Sequence, residues 1–196
     1  MILPIVAYGD PVLRKVCKEI EADYPELQTL IANMKETMNN ASGVGLAAPQ
    51  IGKAIRLFVI DASPFGEDEE LSNTEQEQLK SFKETFINPK IIKEEGEEWA
   101  FNEGCLSIPD VRGEVFRKEK ITIEYLDEEF NCHTKVLNGL AARVFQHEYD
   151  HIEGILFTDK LPSLKKRLLK KKLDNIMKGK IFPDYRMRFP KIKLKK

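Results

Sequence analysis

In "PELQTLIANMKETMNNASG" the apolar residues Leu27, Leu30, Ile31, Met34 and Met38 recur at steps of three and four. That spacing lines one face of an α-helix, and Pro25 near its start and Gly43 beyond its end bound it. The run "IRLFVIDA", Ile55 to Ala62, is short, apolar and rich in β-branched residues, which predicts a buried strand. Further on the period becomes two. Ile121, Ile123 and Tyr125 alternate with polar residues on one arm, and Phe130, Cys132, Thr134 and Val136 on the next, with "LDEE" as the turn between antiparallel strands. This alternation puts Cys132 on the apolar face, packed as a small hydrophobe, and His133 on the polar one.

The helical period returns in "NGLAARVFQHEYDHIEG", where Leu140, Val144, His147 and His151 share a stripe and Gly154 closes the segment. A last helix, "PSLKKRLLKKKLDNIMKG", is expected to turn Leu161, Leu164, Leu168, Ile176 and Met177 inward and to stop at Gly179. The pattern predicts an α+β fold, with antiparallel β-sheets packed around a central helix and further helices at the N- and C-terminal ends. Residues 1–178 read as a single domain. Within it, 61–84 is so acidic that it reads as a surface insertion, too polar to help build the core.

Composition changes this picture in two places. Residues 161–196 hold fourteen Lys and Arg against two Asp, a net +12 in a chain whose total is -1. Such a basic tail, 179–196 with the helix before it, suits either an anionic partner or a solvated surface. The three cysteines, Cys17, Cys105 and Cys132, are odd in number and irregularly spaced. That is no disulfide framework, and it points to a reducing cytoplasm. The first twenty residues carry Asp10, Arg14, Lys15 and Lys18 and no export signal, and no apolar run reaches membrane-spanning length. A cytoplasmic monomer without membrane contact is expected.

The chemistry is concentrated in "QHEYDH", Gln146 to His151. His147 and His151 lie one helical turn apart and can aim two imidazoles at one divalent cation, while Glu148 beside them is placed to handle a proton. A catalytic metal needs a third protein ligand. A metzincin would supply a further His where this chain has Phe157, and no Glu follows Gly154. Upstream, Cys17 reads as core and His133 as surface. Cys105 in "NEGCLSIPD" differs, because Gly104 permits close approach and Pro109 ends the strand, so the thiol is presented at a strand end. Cys105, His147 and His151 would leave one position of a tetrahedral ion open, as catalysis requires. Two other readings stay open here: an HExxH metallopeptidase with Asp159 as third ligand, and a nucleic-acid or ribosome-binding module in which the metal is structural.

Together, "GVGLAAPQIG" (Gly43 to Gly52), "EGCLSIP" (Glu103 to Pro109) and "QHEYDH" resemble the three motifs of the peptide deformylases, in that family's order, over roughly Leu3 to Lys178. The resemblance implies removal of the formyl group from the N-terminal formyl-methionine of nascent chains, with formate as the second product. It implies an Fe(2+) ion, with Zn(2+), Ni(2+) or Co(2+) able to replace it, held by Cys105, His147 and His151. The proton-handling role falls to Glu148, and Gln50 with the Leu106 N–H would bind the formyl oxygen. Gly45 matches a glycine whose backbone approaches the substrate, and Glu103 with Arg117 matches an ion pair behind the ligands. Val44, Leu140 and Val144 are expected to line the methionine pocket, with Arg112 nearby. Arg143 departs from expectation, since a charge beside that pocket must turn away or shape its mouth. For an enzyme of nascent chains, ribosomal RNA would be the anionic partner of the basic tail.

Overall fold

The computed structural model describes residues 1–190. In chain order it contains β1 (Ile5–Val6), α1 (Leu27–Asn40), β2 (Gly45–Ala47), β3 (Leu57–Asp61), α2 (Asn73–Ser81), β4 (Lys83–Cys105), β5 (Ile108–Leu126), β6 (Cys132–Asn138), α3 (Gly139–Ile152), α4 (Ser163–Met177) and β7 (Met187–Arg188). Strands β2 to β6 form one antiparallel sheet in sequence order, and β1 pairs with β7 in parallel as a separate ribbon. The α+β class expected from the periodicity is the fold observed, with the HExxH helix at its centre.

The short apolar run becomes β3 because it is buried on both faces. Phe58 and Ile60 pack toward α3, and Leu57 and Val59 toward α1. On the α3 side, Phe145 meets Phe58 and Phe86 edge-on at centroid separations of 5.1 and 5.0 Å, the geometry that aromatic quadrupoles favour. On the other side the predicted stripe of α1, Leu27, Leu30, Ile31, Met34 and Met38, is buried as a set. This packing fixes α3 against the sheet and with it the direction of both histidines.

Strands β4 and β5 make a hairpin of 23 and 19 residues whose register shifts at four places. Irregularities of this kind bend a ribbon. One end lies in the sheet, and the other ends in a two-residue turn, Leu106 and Ser107, beside α3.

Four expectations need correction. In β6 the face paired with Tyr125, Ile123 and Ile121 carries His133, Lys135 and Leu137, of which Leu137 is buried, His133 half-buried and Lys135 exposed, whereas Cys132, Thr134 and Val136 on the other face are all exposed. The register across from a core strand decides the facing, and β6 is an edge strand with only its end buried. In α4 the buried residues are Leu169, Leu173 and Ile176, packed on Ile108, Val111 and Val115, while Leu164 and Leu168 are 60% and 70% exposed. The acidic segment does contribute to the core, since Leu79 is buried and Phe65, Leu71 and Phe82 pack against the α3 cluster. Its helix α2 starts from a Ser72–Glu75 capping box, which satisfies otherwise unpaired amides. Finally, the chain after Gly179 is folded onto the body as far as Pro190, where β7 lies against β1. The remainder of the basic tail, 191–196, lies outside the described residues. Among the described residues no helix is long and apolar enough to cross a membrane.

Candidate metal centre

Helix α3 and the β4–β5 turn bring Cys105, His147 and His151 together, with one ligand atom from each lying within 4.8 Å of the others. The Cys105 sulfur is 3.3 Å from His151 Nε2. His147 Nδ1 lies 2.9 Å from Glu103 Oε2. A proton on Nδ1 donated to that carboxylate leaves Nε2 as the ligand atom, the usual way in which a carboxylate orients a metal-binding imidazole. A thiolate and two imidazoles so disposed fit a divalent transition metal. Asp159, the alternative ligand, is elsewhere: it is paired with Arg14 and accepts from the Leu156 N–H at 2.8 Å.

Electrostatics agree with this fit. Burial works against charge on His147, but the Cys105 sulfur and the Glu103 carboxylate outweigh it and raise its pKa well above the ordinary value. The Glu103 carboxylate, and Cys105 once bound as a thiolate, would favour a dication between the ligands. Burial holds His151 well below its ordinary pKa, so its imidazole stays neutral as a ligand must.

Glu103 is buried and saturated. Arg117 donates to its two oxygens at 2.7 and 3.0 Å, Arg143 to Oε1 at 3.0 Å, and His147 approaches Oε2. Burial alone would raise its pKa, but Arg117 and His147 prevail and keep it far below the usual carboxylate range. Arg117 also donates to Asp150 at 2.7 Å. Arg143 therefore neither turns away nor lines the mouth alone: it is 2% exposed, donates to the Trp99 carbonyl at 2.6 Å and to that of Val115 at 3.0 Å, and stacks 4.4 Å from the Trp99 ring. The sequence reading missed Asp150 as a member of this network. Its position one turn after Gln146 on the motif helix was the available signal.

Glu148 is buried, its Oε2 has no hydrogen-bond partner among the described residues, and burial pushes its carboxyl up to about 7, against the opposing pull of His147. Gly45 makes room for it, because a Cβ at that position would overlap the Glu148 carboxylate. Gln50 is 1% exposed, and its oxygen accepts from the Ala47 N–H at 2.8 Å. That bond turns the amide donor inward, 3.5 Å from the Cys105 sulfur and 3.4 Å from Ser107 Oγ.

These residues face a cleft of about 750 Å³. Its walls include Gly43, Val44, Gly45, Gln50, Glu103, Leu106, Arg112, Val144, His147 and Glu148. Leu140 is not among them and packs instead against the core, while Arg112 sits exposed on the rim. The cleft also has walls that no motif announced: Pro64 and Phe65 from the acidic segment, Phe101 from β4, and Phe182 to Tyr185 from the tail.

Comparison with known proteins identifies the family of the chain. A family model described as polypeptide deformylase matches residues 2–167. A peptide deformylase of Flavobacterium johnsoniae is 68% identical over 189 residues, 96% of each chain. One from Cytophaga hutchinsonii is 52% identical over 190 residues, 97% of this chain and 98% of the other. Among solved structures, a peptide deformylase from Legionella pneumophila shares the fold with a TM-score of 0.77 at 39% identity, covering 92% of this chain and 98% of that one. The enzyme from Thermus thermophilus gives 0.78 at 41% identity, with 91% and 99% covered.

Proposed function

We propose that this chain, which belongs to the polypeptide deformylase family and removes the formyl group from the N-terminal methionine of new polypeptides, does so with Cys105, His147 and His151 as metal ligands. The observation that carries this reading is their convergence within 4.8 Å beside a buried Glu148. Held by Cys105, His147 and His151, a divalent ion would supply Lewis acidity toward the formyl oxygen and the attacking water. With its carboxyl pushed toward neutrality, Glu148 accepts a proton from the attacking water and returns it to the leaving amine. As negative charge develops on the formyl oxygen, the Gln50 amide and the Leu106 N–H are donors already in place. Glu103, held by Arg117 and Arg143, keeps the His147 ring in its ligating orientation.

Peptide binding rests on the sheet edge. Strand β2 is the edge strand beside the cleft, so an extended peptide can pair its backbone along Gly43 to Gly45. The methionine side chain fits the apolar surface between Val44 and Val144, extended by Phe65 and Phe101. Arg112 on the rim is placed for polar groups farther along the peptide.

The ion is Fe(2+) in this reading, a metal that the Cys and two His donors suit as they suit Zn(2+), Ni(2+) and Co(2+). The enzyme works in the cytoplasm as a monomer, and the exposed lysines of α4 favour contact with ribosomal RNA. Metal analysis of anaerobically purified protein, paired with formate release from a formyl-Met peptide, tests the assignment. Cys105→Ser should lose its metal or nearly all activity, and full activity in that variant would reject the ligand set. Ribosome co-sedimentation unaffected by replacing Lys165, Lys166 and Lys170 with Gln would reject the partner.

A further inference from the structure

The β4–β5 hairpin turns through Leu106 and Ser107 alone, so the carbonyls of these two residues lie outside the ladder and need partners elsewhere. Both partners come from one source. The Ser107 carbonyl accepts from the Tyr8 N–H at 2.8 Å, and the Leu106 carbonyl from the Tyr185 phenol at 2.7 Å. Tyr8 lies just after β1 and Tyr185 just before β7, the two strands that pair with each other as Ile5 with Met187 and Val6 with Arg188. Backbone bonds of 2.9 Å from Ile5 to Arg186 and from Ala7 to Arg188 extend that pairing. The turn that presents Cys105 and Leu106 is thus mounted on a ribbon joining the two ends of the described chain.

From this we infer that Tyr185 is a positioning residue for deformylation, its phenol holding the Leu106 carbonyl and thereby fixing the direction in which the Leu106 N–H meets the formyl oxygen. The inference rests on the reading of that N–H as an oxyanion donor. In a two-residue turn the orientations of the peptide units before and after Leu106 are coupled, and an oxyanion donor works only within a narrow range of direction and distance. Burial raises the pKa of the phenol, so it stays protonated and able to donate at neutral pH and well above it. A chain cut after Gly179 would lose this hydroxyl together with the basic residues that follow, so such a cut does not isolate the role of charge.

The test uses full-length, metal-loaded enzyme and a formyl-Met peptide. Tyr185→Phe keeps the ring and removes the donor. Its kcat per bound metal should fall about three- to tenfold, less than the loss from deleting an oxyanion donor outright, with KM and metal content unchanged. A second variant carries the α-hydroxy analogue of leucine at position 106, which turns the Cys105–Leu106 amide into an ester and removes the N–H itself. In that background Tyr185→Phe should cost nothing further, because the two changes disable one interaction. An ester variant with undiminished kcat would overturn the reading of Leu106 and the inference with it. Loss of kcat in the ester variant beside normal kcat in Tyr185→Phe would overturn the inference alone. Equal losses from Tyr185→Phe in both backgrounds would assign the phenol to general packing and overturn it as well.

Discussion

The cleft has two sides that are held by opposite kinds of force. On the ligand side, α3, the end of β4 and the middle of β5 bury Glu103, Arg117, Arg143 and Asp150, and orientation comes from charge paired with charge. On the tail side, residues 180 to 189 alternate: Ile181, Tyr185, Met187 and Phe189 turn inward, and Lys180, Asp184, Arg186 and Arg188 face solvent. There orientation comes from apolar contact and backbone pairing. The difference teaches that a group meant to keep a metal ligand in one tautomer requires a directional, saturated network, whereas a wall that borders a peptide needs only to stay in place.

The sharpest way to separate the sides is chemical. Glu148→Gln preserves size and metal ligands but removes the proton acceptor, and kcat should fall by about 10²- to 10⁴-fold with metal content unchanged. Steady-state kinetics with metal analysis check this. No change on the tail side should approach that loss.

The ligand side can next be broken through its charges. Arg117→Met removes the partner that two buried carboxylates share, leaving Glu103 with Arg143 and His147 and Asp150 with Lys160, and should cost about 3 kcal/mol in denaturant unfolding. A pH dependence accompanies it. The pKa of Glu103 is lower folded than unfolded, so as pH falls the unfolded chain takes up the proton first and stability declines. The contribution is complete above the ordinary carboxylate range and disappears as pH falls through that range toward the lower folded value. In Arg117→Met this acid-side slope should flatten, which unfolding curves at a series of pH values would reveal.

How much of this was legible in sequence follows from the range of the interactions. The pairing of His147 with His151 is a property of one helical turn, and α1 and β3 announce their buried faces in the same local way. Cys105 was reachable because so few other His and Cys remained and because the family motifs point to it. The facing of β6 was not legible, since Cys132 and Val136 are more apolar than His133 and Lys135 on the opposite face, and only pairing with Ile121, Ile123 and Tyr125 decides between the two faces. The roles of Asp150 and Arg143 depend on Glu103 from β4 and Arg117 from β5, so helix position could single out Asp150 but no local pattern names the partners. The tail is a different case. Its period-two alternation was present in "KIFPDYRMRF", but the charge of the segment drew the reading toward an external partner.

On the tail side, the largest effect should come from an inward aromatic. Phe189 is partly buried against the cluster that includes Leu156, Leu173 and Ile176. Phe189→Ala should therefore destabilise by about 2 kcal/mol, less than the ~3–5 kcal/mol typical of a fully buried phenylalanine. Thermal or denaturant unfolding would measure it. A loss in the upper range would mean that the tail belongs to the core as fully as α4 does.

The smallest effect should come from the same segment's charge. Arg188 Nη2 lies 3.7 Å from Asp10 Oδ2, with half of the arginine side chain exposed. An exposed pair at that separation is screened by solvent and salt, so Arg188→Ala should change stability by less than about 1 kcal/mol. The difference between the variant and the parent should also shrink further as salt is raised. If Arg188→Ala instead cost as much as Phe189→Ala, with no dependence on salt, the tail would be held as the ligand side is, and the contrast between the two walls would fail.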